Sequence, residues 1–98
     1  MNACKYNIIP QTYFAPQEVT PDSKCNGWTA INKGDTLVII NGIKLKPFPP
    51  GHPELSGEAF GVQGNLGEIY NGIISIVFDS TGGGTQPEVL IIQKYYIQ

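Results

Sequence analysis

The stretch GDTLVIINGIKLKP, residues 34–47, limits the fold of this chain more than any other segment. Residues 36–40 are a β-branched, apolar run, Asn41-Gly42 is the dipeptide that favours a two-residue type I′ turn, and residues 43–46 return from it. A chain that carries this hairpin is expected to be all-β. The turn also sets a register. Ile40 is expected opposite Ile43 and Val38 opposite Leu45 on a core face, with Ile39 opposite Lys44 and Leu37 opposite Lys46 on the other. That second face is half apolar and half lysine stem. It is expected to be covered in part, by an N-terminal arm or by a neighbouring subunit, which makes Leu37 and Ile39 candidate partner-binding residues.

Twelve glycines and eight prolines punctuate the 98 residues, and no window sustains an i, i+3, i+4 apolar pattern. Strands are expected at 6–9, 28–31, 36–40, 43–46, 59–63, 68–70, 73–78 and 88–97. Seven short strands from Trp28 onward, separated by turn residues, point to a single small β-sandwich, jelly-roll-like. Residues 1–27, interrupted by Pro10, Pro16 and Pro21, read as an extended N-terminal arm with one strand, and residues 28–98 as the sandwich. A second Asn-Gly, Asn71-Gly72, is expected to close a hairpin between 68–70 and 73–78. Ile74, Ile76 and Phe78 then point one way, and Ile73, Ser75 and Val77 the other. The last strand is apolar on both faces from Val89 to Ile92 and is expected to sit centrally in a sheet.

Charge excludes several function classes. The net charge is −2, charged residues are 14%, and all six basic residues are lysines, scattered along the chain. A nucleic-acid reader would show a basic patch, and arginine, the preferred bidentate phosphate ligand, is absent. No run of 18 apolar residues exists, so no membrane-spanning segment is expected. The opening MNACKYNIIPQTYF has no apolar signal region. The protein is expected to stay where it is made, or to leave by lysis or a non-Sec route. Cys4 and Cys25 stand 21 positions apart. A disulfide that ties down the N-terminal segment and two free thiols in a reducing cytoplasm are both open.

Reactive constellations are sparse. His52, the only histidine, lies in the proline-rich loop 46–58 without a recognisable nucleophile or orienting partner. Asp35, Glu58, Glu68 and Asp79 sit beside glycines in turns, without calcium-loop spacing, and Asp35 and Asp79 read as caps of local backbone. Gly82–Gly84 lacks the Lys-Ser/Thr of a phosphate loop and reads as a hairpin tip. Pro47-Phe48-Pro49-Pro50 matches P-x-x-P, a short and common pattern. No catalytic residue, metal or cofactor is expected.

The aromatics are the stronger signal. Tyr95 and Tyr96 are adjacent on a strand, so they face opposite sides. With Trp28 they are further candidates for partner contact, either at an oligomer interface or as a sugar-binding platform. A glycan-binding module used in host attachment is the alternative function, and it would lose binding on Trp28→Ala or Tyr96→Ala.

The succession from Thr29 to Ile97 resembles small β-structured accessory proteins of bacteriophage particles. The residues that carry the likeness are Asn41, Gly42, Leu45 and Pro47, then Gly64, Asn65, Gly67 and Glu68, then Lys94 and Tyr96. The expanded loop PFPPGHPELSGE departs from the brief Pro-Gly turn of that pattern. The resemblance implies a non-enzymatic virion structural protein, assembled in the host cytoplasm, that decorates, cements or caps a capsid or belongs to a vertex or spike. Its implied partners are sister subunits, in a homo-oligomer such as a trimer or pentamer, and a major capsid or other virion protein.

Overall fold

A computed structural model describes residues 5–64 and 68–97, with backbone alone for Lys5, Tyr96 and Ile97. Among the described residues there are eight strands: β1 (Lys5–Tyr13), β2 (Gln17–Val19), β3 (Cys25–Asn32), β4 (Leu37–Ile40), β5 (Ile43–Leu45), β6 (Ala59–Gln63), β7 (Ile74–Asp79) and β8 (Val89–Ile97). They form two four-stranded sheets, β1-β8-β3-β6 and β2-β7-β4-β5, and every neighbouring pair is antiparallel. Among the described residues there is no helix. The pairing follows one rule. The first strand pairs with the eighth, the second with the seventh, the third with the sixth and the fourth with the fifth. The chain is thus one long antiparallel ribbon, folded over so that β8 also meets β3 and β7 also meets β4.

Asn41-Gly42 is the tip of that ribbon. Both residues take positive φ, 49° and 84°, as a type I′ turn demands. The register is the one the turn dictates: Ile40 opposite Ile43, Ile39 opposite Lys44, Val38 opposite Leu45. Between the sheets lie Val38, Ile40 and Leu45 from this hairpin, Ile74 and Ile76 from β7, Trp28 and Ala30 from β3, and Val89 and Ile91 from β8. Ile43 shares their face but is 37% exposed, because it flanks the tip. The strand β8 lies between β1 and β3, the central place its two apolar faces predict.

Three expectations are corrected. Residues 68–70 form no strand, and Asn71-Gly72 closes no hairpin. Neither residue takes positive φ, and β7 pairs with β4 and β2 instead. The segment crosses between sheets, held by the Tyr70 amide donating to the Cys25 carbonyl at 2.7 Å. Residues 5–27 hold more than one strand: β1 runs to Tyr13 through Pro10, and β2 borders the other sheet. Proline is tolerated in β1 because β1 is an edge strand.

The loops gather at the two ends of the sandwich. At one end Lys33 and Gly34 donate to the Glu88 carbonyl, and Gly57 donates to Asn32. Gly34 is forced by close approach, since a Cβ there would collide with the backbone of Gln86 and Glu88. Asn32 organises this end from inside. Its amide donates to the carbonyls of Thr36 and Leu45, both at 2.9 Å, and its side-chain oxygen accepts from the Gly34 amide at 3.0 Å.

Candidate interaction surface

The polar and titratable groups come first, because they decide whether chemistry is possible. Asp35 accepts the Gln86 amide at 2.8 Å, the Thr36 hydroxyl at 3.0 Å and the Thr85 amide at 3.3 Å. These bonds, the Gln86 amide foremost, hold its carboxyl below the usual aspartate value. Asp79 is lowered likewise, chiefly by the Thr81 hydroxyl at 2.6 Å and then by the Thr81 amide at 2.9 Å. Both carboxylates hold backbone amides: Asp79 caps local backbone at Thr81, as expected, whereas Asp35 holds the amides of Thr85 and Gln86, 50 and 51 positions away, in place of the local cap expected of it. His52 meets Glu54 at 3.0 Å on an open loop, with both side chains exposed. Cys25 is a buried free thiol that donates to the Gly27 carbonyl at 3.2 Å, and burial pushes its pKa up. Cys4 lies outside the described residues. Among the described residues no three His, Cys, Asp or Glu side chains are grouped to hold a metal ion.

The concavities are shallow. One holds about 480 Å³ and lies between the proline loop, lined by Phe48 and Pro50, and the glycines 82–84. A second, about 260 Å³, lies at the opposite end beside Asn26, Glu68, Ile69 and Tyr70. Neither gathers a nucleophile and a base.

The two outer sheet faces differ. Alternation along each strand sends every second side chain outward. On β2-β7-β4-β5 the outward set mixes Leu37, Ile39 and Val77 with Glu18, Lys44 and Asp79, as a solvated antiparallel face should. On β1-β8-β3-β6 the outward residues are Tyr6, Ile8, Pro10 and Thr12 from β1, Leu90, Ile92 and Lys94 from β8, Thr29 and Ile31 from β3, and Ala59, Gly61 and Gln63 from β6. Lys94 is the single charge among them, and its ammonium lies 5.9 Å from the Tyr6 ring centroid. Tyr6 is 61% exposed and Ile8 49%. A depression of about 160 Å³ runs between Ile8, Ile92, Thr29 and Gln63.

The residues singled out from sequence are dispersed. Leu37 and Ile39 are half-buried on the mixed face, beside Lys44 and Val77. Trp28 is a correction: it is 2% exposed and packs edge-on against Phe60 and Tyr70, so it cannot serve as a surface platform. Tyr95 is half-buried and lies opposite Cys25 and Asn7. The Tyr96 side chain lies outside the described side chains. Sequence reading missed the apolar outer sheet, although the two-sided apolar run Val89 to Ile92 was its signal: Val89 and Ile91 fill the core, and Leu90 and Ile92 line the outside. Compared with protein-family models, curated proteins and solved structures, the chain matches none.

Proposed function

We propose that this chain is a non-enzymatic structural subunit of a bacteriophage-type virion, a jelly roll that acts through protein–protein contacts with sister subunits and a capsid lattice. The observation that carries the reading is the strand order. A ribbon of eight antiparallel strands in the orders β1-β8-β3-β6 and β2-β7-β4-β5 supports a jelly roll, an architecture that serves viral capsids and lectins. Fold alone does not choose between those uses. The surface favours the capsid type, because the outer sheet is apolar and the sole tryptophan, which a sugar platform would expose, is in the core. In this reading the N-terminal segment is the arm, with β1 holding Tyr6 and Ile8 outward at the sheet margin.

The test is particle composition. An antibody raised against the purified protein should detect it in density-purified particles, co-banding with the major capsid protein. Its presence in producer-cell lysate but absence from purified particles would overturn the virion role. Glycan-array binding that survives removal of particle proteins would move the assignment to the lectin use.

A further inference from the structure

We infer that the outer face of the β1-β8-β3-β6 sheet is a self-association surface, and that its occupant is the same face of a second copy of this chain. The inference deepens the structural-subunit reading and rests on it. Three observations commit the face to this occupant.

The first is charge. A two-fold contact sets one patch against itself, residue i on j and j on i, so a cluster of like charges on it would face like charges. Among the described residues this face carries one, Lys94, near the Tyr6 ring, while the opposite outer face carries Glu18, Lys44 and Asp79.

The second is area. Strands of nine, nine, eight and five residues at about 3.4 Å per residue, side by side at about 4.8 Å, span on the order of 500 Å² of plane. Two copies together therefore reach the roughly 1,000 Å² that a specific interface needs, before the relief of the side chains is counted. The chain exposes 6347 Å², against about 5,500 Å² expected for a compact monomer of 10.6 kDa. Its radius of gyration is 14.6 Å, against about 13 Å expected at this length. The chain thus exposes more surface than a compact monomer of its size.

The third is the blunted edge of β1. An exposed edge strand offers its amides to any other strand. In β1 two positions on the same face, Ile8 and Pro10, have no amide to offer. Pro10 has no N–H, and the Ile8 amide is already taken by the Asn7 side chain at 2.9 Å. These two positions hinder strand addition along β1, and a face-to-face contact, sheets about 10 Å apart, needs no free edge. Such a contact is isologous and makes the copy number even, in place of a trimer or pentamer.

Analytical ultracentrifugation of the purified chain tests this at roughly 100 µM, above the micromolar Kd range of modest interfaces. The wild type should sediment at twice 10.6 kDa, in 1 M salt as in dilute buffer, because the contact is apolar. Ile92→Lys, at the centre of the face, should sediment as a monomer. Ile8→Lys, at the exposed margin, does the same if the central variant fails to fold. Val77→Lys, on the other outer face, should remain a dimer. A monomeric wild type would overturn the inference, as would a dimer that survives both Ile92→Lys and Ile8→Lys or is broken only by Val77→Lys. A monomer in solution that is still found in purified particles would overturn the self-contact and leave the virion role standing.

Discussion

Asn32 shows how much of this fold one buried polar side chain can hold. It is fully buried, and all its side-chain bonds are satisfied by backbone groups of the β3–β4 turn and the end of β5. Asn32→Ala would leave the Thr36 and Leu45 carbonyls and the Gly34 amide without that partner. The expected loss is about 3 kcal/mol, which for a domain of this size lowers the thermal midpoint by about 10–20 °C. Trp28 fluorescence reports the transition, since the only tryptophan is buried. An unchanged midpoint would show that water replaces these bonds without loss. Asp35 and Asp79 give the fold an acid limit. Both ionise below 3.8 in the folded chain, so the unfolded chain takes up protons first as pH falls. The stability they lend is present above about pH 4 and is lost as pH drops through their lower folded values. Asp35→Asn and Asp79→Asn should each flatten that acid limb in a plot of midpoint against pH; a limb unchanged in both would assign it to other carboxylates. The distant Thr85 and Gln86 amides that Asp35 holds gave no local sign, but the cap that Asp79 makes at Thr81, two positions on, was legible. The role of Asn32 was not, because its acceptors lie 4 and 13 positions away and nothing local marks them.

At the scale of elements, the two Asn-Gly dipeptides separate what is local from what is not. Asn41-Gly42 has apolar runs on both sides that can pair, and it adopts the turn. Asn71-Gly72 has β7 on one side, but β7 is claimed by β4 and β2, so the same dipeptide becomes a crossing between sheets. Hairpin chemistry is readable only where the partner strand is adjacent in sequence. Gly42→Val should therefore destabilise the chain by about 1–2 kcal/mol, because φ is 84° there. Gly82→Ala, at ordinary φ with nothing near its Cβ, should leave the unfolding midpoint in urea within experimental scatter. Equal effects would mean that the turn tolerates a side chain. Strand β8 makes the same point from the other side. Its central place was legible from its two apolar faces, and it joins β1 to β3. A chain lacking residues 90–98 should fail to fold, seen as loss of cooperative unfolding. A soluble truncation that unfolds cooperatively would remove β8 from the core.

At the scale of the whole molecule, the apolar outer sheet had only a fragmentary sequence signature, the two-sided run Val89 to Ile92, for a physical reason. Its members come from β1, β3, β6 and β8, and in β1 they alternate with Asn7 and Gln11, so no single window is amphipathic enough to announce a surface. In β8 the outward Leu90 and Ile92 read as core because Val89 and Ile91 flank them. Only the fold sums the fragments. If two such faces meet, stability belongs to the pair and must depend on concentration. Each tenfold dilution removes about 1.4 kcal/mol from a dimer, shared by two chains, so the thermal midpoint should fall by about 3–6 °C per decade. Calorimetry across two decades of concentration measures this directly. Ile92→Lys should abolish the dependence and unfold at one temperature throughout, near the low-concentration limit of the wild type. Val77→Lys should keep the wild-type slope, since the mixed outer face takes no part. A wild-type midpoint that is independent of concentration would mean that the monomer is the folding unit and that its outer sheet meets water alone.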